Sequence, residues 1–181
     1  MENQNDAALT TLRDMVRLGA SMFNEAELIF GHGTDNALDE ALQLVLHGLH
    51  LDHTLPQGYL DAHLTRDEKT AVLKLFHRRI KERVPAAYLT GKAWFAGLEF
   101  DVNSDVLVPR SPIAELIGEQ FSPWLDASQA HNILDLCTGS GCIAIACACA
   151  FQQAQVDAVD ISEAALNVAR SNVDKHQLHE R

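Results

Sequence analysis

Several features are scarce in this chain, and each scarcity narrows what it can be. The 181 residues include five prolines (Pro56, Pro85, Pro109, Pro112 and Pro123), none beside another, so no polyproline stretch can form. Aromatic residues make up only 6%. The longest apolar run, Cys142 to Phe151, falls far short of the roughly 20 residues a bilayer-spanning helix needs. The start, Met1-Glu2-Asn3-Gln4-Asn5-Asp6, is polar and acidic, whereas a secretory signal has a basic start and then an apolar stretch. A cytoplasmic protein that does not enter the membrane is expected. Basic residues are outnumbered, 14 Lys and Arg against 25 Asp and Glu, giving a net charge of −11. Bulk nucleic-acid binding needs the opposite balance, because cations must displace the phosphate counterions.

The charge is unevenly spread. Residues 1–65 hold two basic and ten acidic residues, whereas residues 66–92 hold eight basic (Arg66, Lys69, Lys74, Arg78, Arg79, Lys81, Arg83, Lys92) against three acidic. A solvated helix face accounts for the basic segment, with contact to RNA or an acidic partner as the rival reading. Four clustered cysteines, Cys137, Cys142, Cys147 and Cys149, are read as small buried residues in a reducing compartment. At about 100° per residue, Cys147 points away from the face shared by Cys142 and Cys149, so three ligands cannot converge. His47, His50 and His53 have no carboxylate spaced to complete a metal site and suit a helix C-terminus. No metal is expected.

Three helical stripes come first. Leu9, Leu12, Val16, Ala20 and Phe23 recur at helical spacing. Leu38, Leu42, Val45 and Leu49 do so after the capping residues Thr34-Asp35-Asn36. Val72, Phe76, Ile80 and Val84 form the third stripe, opened by Thr65 and closed by Pro85. Packed together they give a small bundle. Beyond Pro85, Trp94 to Val102 reads as extended segments around Gly97, Asn103-Ser104-Asp105 as a turn, and Val106-Leu107-Val108 as a further strand. A helix is expected from Ile113 to Phe121. A strand follows at His131 to Leu136, then a tight turn, an apolar helix to Phe151, a strand from Gln155 to Asp160 and a helix from Ser162 to His176. Strand–helix–strand–helix opens a parallel, doubly wound sheet. The fold class is therefore α/β: an N-terminal helical bundle, a β-hairpin linker and the first half of a Rossmann-like sheet.

The turn Thr138-Gly139-Ser140-Gly141 lies between strand and helix, where such sheets bind ligands. Asp160 ends the next strand, placed to accept hydrogen bonds from ribose hydroxyls. Gly139-Ser140-Gly141-Cys142-Ile143-Ala144 satisfies the loose dinucleotide fingerprint, so an NAD(P)-dependent oxidoreductase is one reading. Asp135, four residues before Gly139, separates the two candidates: its carboxylate would repel a pyrophosphate but attract the ammonium and sulfonium of S-adenosylmethionine. Charge favours S-adenosylmethionine.

Asp135-Leu136-Cys137-Thr138-Gly139-Ser140-Gly141-Cys142-Ile143-Ala144 resembles the cofactor loop of the HemK/PrmB-like glutamine methyltransferases. Ala87-Tyr88-Leu89-Thr90-Gly91, the Trp94 to Val102 segment and Val106-Leu107-Val108-Pro109-Arg110 are similar to that family as well. One branch modifies peptide-chain release factors; the other modifies the third protein of the large ribosomal subunit. Ser111-Pro112-Ile113-Ala114-Glu115 after Arg110, and Gly31-His32-Gly33-Thr34-Asp35-Asn36, resemble the ribosomal branch. The resemblance implies an S-adenosylmethionine-dependent enzyme that methylates a glutamine amide. Residues 1–84 would be a helical substrate-recognition domain, 85–110 a linker with a hairpin, and 111–181 the first half of the methyltransferase domain. It also implies that Cys137, Thr138, Gly139, Ser140 and Gly141 surround the methionine part of the cofactor and that Asp160 holds the ribose. Asp135 joins them through charge, and Pro109 and Arg110 would lie near the cofactor edge. The family's Asn-Pro-Pro-Tyr substrate clamp is not found in these 181 residues. No catalytic residue is therefore assigned, and a truncated chain without activity of its own is expected. A ribosome-docking module acting through residues 66–92 is the non-enzyme alternative.

Overall fold

A computed structural model describes residues 9–31 and 33–181. The polar start at 1–6 and His32 lie outside the described residues. The chain forms two compact units, one ending at Thr90 and the other running from Gly91 to Arg181.

The first unit contains α1 (Leu12–Glu25), α2 (Ala37–Gly48), α3 (Arg66–Lys81) and the short α4 (Ala86–Thr90), with a 3₁₀ turn at Gln57–Asp61. Thr11 and Thr65 open α1 and α3 with reciprocal capping boxes, in which Asp14 and Glu68 return hydrogen bonds to the cap backbone. Asn36 caps α2 by accepting the Asp39 N–H at 2.9 Å. The core is aliphatic and aromatic: Met15, Phe23, Leu44, Val45, Val72 and Phe76 are almost wholly buried. Each such side chain is worth about 1.5–3 kcal/mol on transfer from water. Phe23 meets Phe76 edge-on, with ring centroids 5.2 Å apart.

Two expectations need correction here. On α2 the inner face is Ala41, Leu44 and Val45, while Leu38 is 56% exposed. The inner face also carries Glu40, 1% exposed, whose charge disguised the apolar period. Arg79, counted within the basic segment, is 5% exposed. Its Nε donates to Glu40 Oε1 at 2.6 Å, and its Nη2 donates to the Ile29 carbonyl at 3.2 Å. Thr34 Oγ1 donates to the other Glu40 oxygen at 3.2 Å. The pair joins α2 to α3 and to the segment before α2, so Arg79 is unavailable to any partner.

The second unit holds the hairpin β1 (Lys92–Phe95) and β2 (Leu98–Asp101), α5 (Ile113–Gly118), β3 (Asn132–Leu136), α6 (Cys142–Ala150), β4 (Gln155–Val159) and α7 (Glu163–His176). β1 and β2 are antiparallel, and β3 and β4 are parallel, with Asp135 opposite Ala158 and Leu136 opposite Val159. This is a mixed α/β architecture with a partial Rossmann-like sheet. Val106-Leu107-Val108 is not a strand: Val106 and Val108 turn inward and Leu107 outward, but no neighbouring strand pairs with them. α5 stops at Gly118 rather than Phe121, because Gln120 and Phe121 adopt left-handed backbone angles. α6 is apolar on every side, as suits a helix buried over most of its surface. Cys142 and Cys147 are buried within it, but Cys137 and Cys149 are exposed, against the reading of all four as buried. Leu134, Leu136 and Val159 share one face of β3 and β4 and stand exposed to solvent. Among the described residues, no helix is long and apolar enough to cross a membrane.

Candidate functional site

The seven residues singled out from the sequence meet at the C-terminal ends of β3 and β4. Asp135 lies on β3, Cys137 to Gly141 form the turn into α6, and Asp160 directly follows β4. Parallel pairing makes this convergence unavoidable, since Leu136 opposite Val159 places the turn next to Asp160.

The turn is pinned by hydrogen bonds at several points. Asp160 Oδ2 accepts the Gly139 N–H at 2.9 Å, and Oδ1 accepts the Ser162 N–H at 2.9 Å. These two N–H bonds favour the ionised form, so the Asp160 carboxyl titrates below the usual aspartate range. Asp135 Oδ2 accepts both the Thr138 hydroxyl at 2.6 Å and the Ala144 N–H at 3.1 Å. Asp135 therefore anchors the turn and caps the first turn of α6, a role its charge alone did not reveal. Its Oδ1 has no hydrogen-bond partner among the described residues.

Backbone conformation alternates along the loop. Cys137 (φ 61°), Gly139 (φ 58°) and Gly141 (φ 79°) are all left-handed. The two glycines serve different ends. A Cβ on Gly139 would meet nothing within 4 Å, so this residue faces open space where a ligand can approach. A Cβ on Gly141 would lie 3.3 Å from the Ala169 Cβ, so here glycine allows α6 and α7 to pack. Burial raises the Cys142 thiol, and burial followed by the nearby Asp135 charge pushes Cys147 up to about 11. These two thiols stay protonated and are not nucleophiles at neutral pH.

Two residues at the site escaped the sequence reading. Ile161 follows Asp160 and is fully exposed at the rim of the turn. Its position after the acid that ends an apolar strand was the available signal. Asn172 is wholly buried beneath the loop. It continues the inner stripe Ala165, Ala169, Asn172 of α7, and a polar residue at that spacing could have been noticed. Pro109 is buried and Arg110 is exposed.

Residues 90–181 match the family described as Methyltransferase small domain. The chain belongs to that family. This methyltransferase domain and the helices before it are also similar to proteins named ribosomal protein uL3 glutamine methyltransferase. The Bordetella pertussis relative is 53% identical over 182 residues, covering 100% of this chain and 61% of the relative. The Xanthomonas campestris relative is 59% identical over 171 residues, covering 94% and 55%. The Neisseria gonorrhoeae relative is 51% identical over 182 residues, covering 100% and 61%. The chain thus spans between half and two thirds of the length of these curated relatives.

Proposed function

We propose that the chain serves S-adenosylmethionine-dependent methylation of a glutamine side-chain amide in ribosomal protein uL3, with residues 1–84 recognising the substrate. The observation that carries the cofactor assignment is the Asp160 carboxylate bonded to the Gly139 N–H, at an open glycine turn that also holds Asp135. The residues present fit the cofactor. An acid at the position of Asp160 suits the ribose of either cofactor, whereas the Asp135 carboxylate beside the turn suits an ammonium and a sulfonium and disfavours a pyrophosphate, which argues against the NAD(P) alternative. Asp160 retains lone pairs beyond its two N–H bonds with which to accept from ribose hydroxyls, and Ile161 offers an apolar surface for an adenine. Cys137, Thr138, Ser140 and Gly141 complete the cradle, while Gly139 leaves space for the methionine part.

Bound there, the cofactor supplies the methyl group. This chain's residues would hold and orient it through the loop, and the Asp135 carboxylate would attract its positive charge. The relatives' names favour a ribosomal substrate over a release factor, and that substrate implies a cytoplasmic setting. Residues 66–92 would add contact to ribosomal RNA through exposed Lys74, Lys81 and Arg83. The resemblance places the Asn-Pro-Pro-Tyr clamp outside these 181 residues, so they alone should not turn over uL3. Calorimetric titration with S-adenosylmethionine, with NAD as control, tests the binding. Saturable binding of S-adenosylmethionine alone, lost in Asp160→Ala, is the expected result; binding of NAD alone would overturn the proposal.

A further inference from the structure

Asn172 makes three hydrogen bonds while wholly buried. Its Oδ1 accepts the Asp101 N–H at 2.8 Å, and its Nδ2 donates to the Asp101 carbonyl at 3.0 Å and to the Ser140 carbonyl at 2.8 Å. One side chain therefore grips both main-chain groups of the last hairpin residue and, with its remaining hydrogen, the centre of the glycine turn.

The grip on Ser140 fixes more than one atom. In a planar trans peptide the carbonyl and the following N–H point in opposite directions. Holding the Ser140 carbonyl toward α7 directs the Gly141 N–H the other way, where it donates to the Thr138 carbonyl at 3.0 Å. Rotating that peptide would break both bonds and leave buried polar groups unpaired, which is costly. The same peptide leads into α6, so its orientation also sets the first turn of that helix.

The hairpin end is held to α7 by more than Asn172. Lys175 Nζ donates to Glu99 Oε1 at 2.8 Å and Asp101 Oδ1 at 2.7 Å, and the His176 ring packs on Phe100 with centroids 5.1 Å apart. Among the described residues, Asn172 is the side chain that hydrogen-bonds both to the hairpin end and to the loop.

We propose that Asn172 is a positioning residue that holds the glycine turn ready for its ligand and makes the order of the hairpin and of the turn depend on each other. The ligand part rests on the S-adenosylmethionine reading; the mechanical link does not.

Amide hydrogen exchange on the full chain without ligand tests the link. In Asn172→Ala, the Gly139 and Gly141 amides should exchange about tenfold faster along with Asp101. In Val108→Ala, which removes buried methyl groups without touching these bonds, Gly139 and Gly141 should exchange more slowly than in Asn172→Ala at matched stability. Faster Asp101 exchange with unchanged Gly139 and Gly141 would reduce Asn172 to a hairpin anchor and overturn the proposal. Should Asn172→Ala not fold, Lys175→Ala loosens the hairpin from its partly exposed side. Acceleration at Gly139 and Gly141 supports the link there, and no change overturns it. Titration with S-adenosylhomocysteine is read separately: Asn172→Ala should bind about tenfold more weakly and Val108→Ala within about twofold of the parent. Equal affinities for Asn172→Ala and the parent would overturn the positioning role. No binding to the parent would sink the cofactor reading, while the exchange rates still decide the link.

Discussion

Gly139 and Gly141 are two residues apart and both left-handed, yet they should respond differently to the same substitution. Gly141→Ala adds the backbone cost of a left-handed alanine to a contact with Ala169, and should destabilise the chain by about 1–3 kcal/mol in urea unfolding. Gly139→Ala carries only the backbone cost, so its stability loss should be smaller, while its loss of S-adenosylhomocysteine affinity should be the larger. Asp160 gives a pH-dependent prediction. Its folded pKa lies below the ordinary value, so its contribution to stability is complete at neutral pH. That contribution fades as pH falls from the unfolded value through the lowered folded one. The stability gap between the parent and Asp160→Asn should therefore narrow below about pH 4, as measured by urea unfolding across a pH series. A gap constant down to pH 2 would contradict the hydrogen bonds to Gly139 and Ser162.

At the scale of elements, the ion pair between α2 and α3 is buried on both sides. Arg79→Ala would leave Glu40 charged and buried without its partner, a loss of about 3–5 kcal/mol. A double replacement, Glu40→Leu with Arg79→Met, should recover most of that loss, and thermal unfolding of the two variants decides the point. This pair also shows what the sequence could not reveal. Helix existence was legible for α1, α2 and α3, because Leu12, Val16 and Phe23, or Val72 and Phe76, repeat cleanly. The five-residue α4 is too short to show a period and fell within the stretch read as linker. The inner face of α2 was not, because a buried Glu reads as a surface residue until its partner, 39 positions away, is located. The extra strand at 106–108 failed for a related reason: alternation of buried and exposed residues specifies an extended chain, not a neighbour to pair with. The early stop of α5 lay in the left-handed Gln120 and Phe121, which no local signal marks.

At the scale of the whole molecule, the candidate site was the most legible part. A glycine turn between a strand and a helix, with an acid at the end of the next strand, leaves parallel pairing little freedom in where it places them. Asn172 stayed hidden because its partners, Asp101 and Ser140, are 71 and 32 residues away. The apolar face of β3 and β4 carries a prediction of its own. With Leu134, Leu136 and Val159 exposed, the chain should enhance the fluorescence of an anilinonaphthalene sulfonate dye under native conditions, and Leu134→Ser with Leu136→Ser should reduce it. Unchanged dye fluorescence in the double variant would place the apolar surface elsewhere. The Glu40–Arg79 pair also governs how this protein can be recombined with its relatives. A chimera that takes α2 from one parent and α3 from another risks placing a buried charge opposite a neutral side chain. The two helices, with Ile29 and Thr34, to which the pair is bonded, form a single exchange unit, and a crossover point between them is the one to avoid.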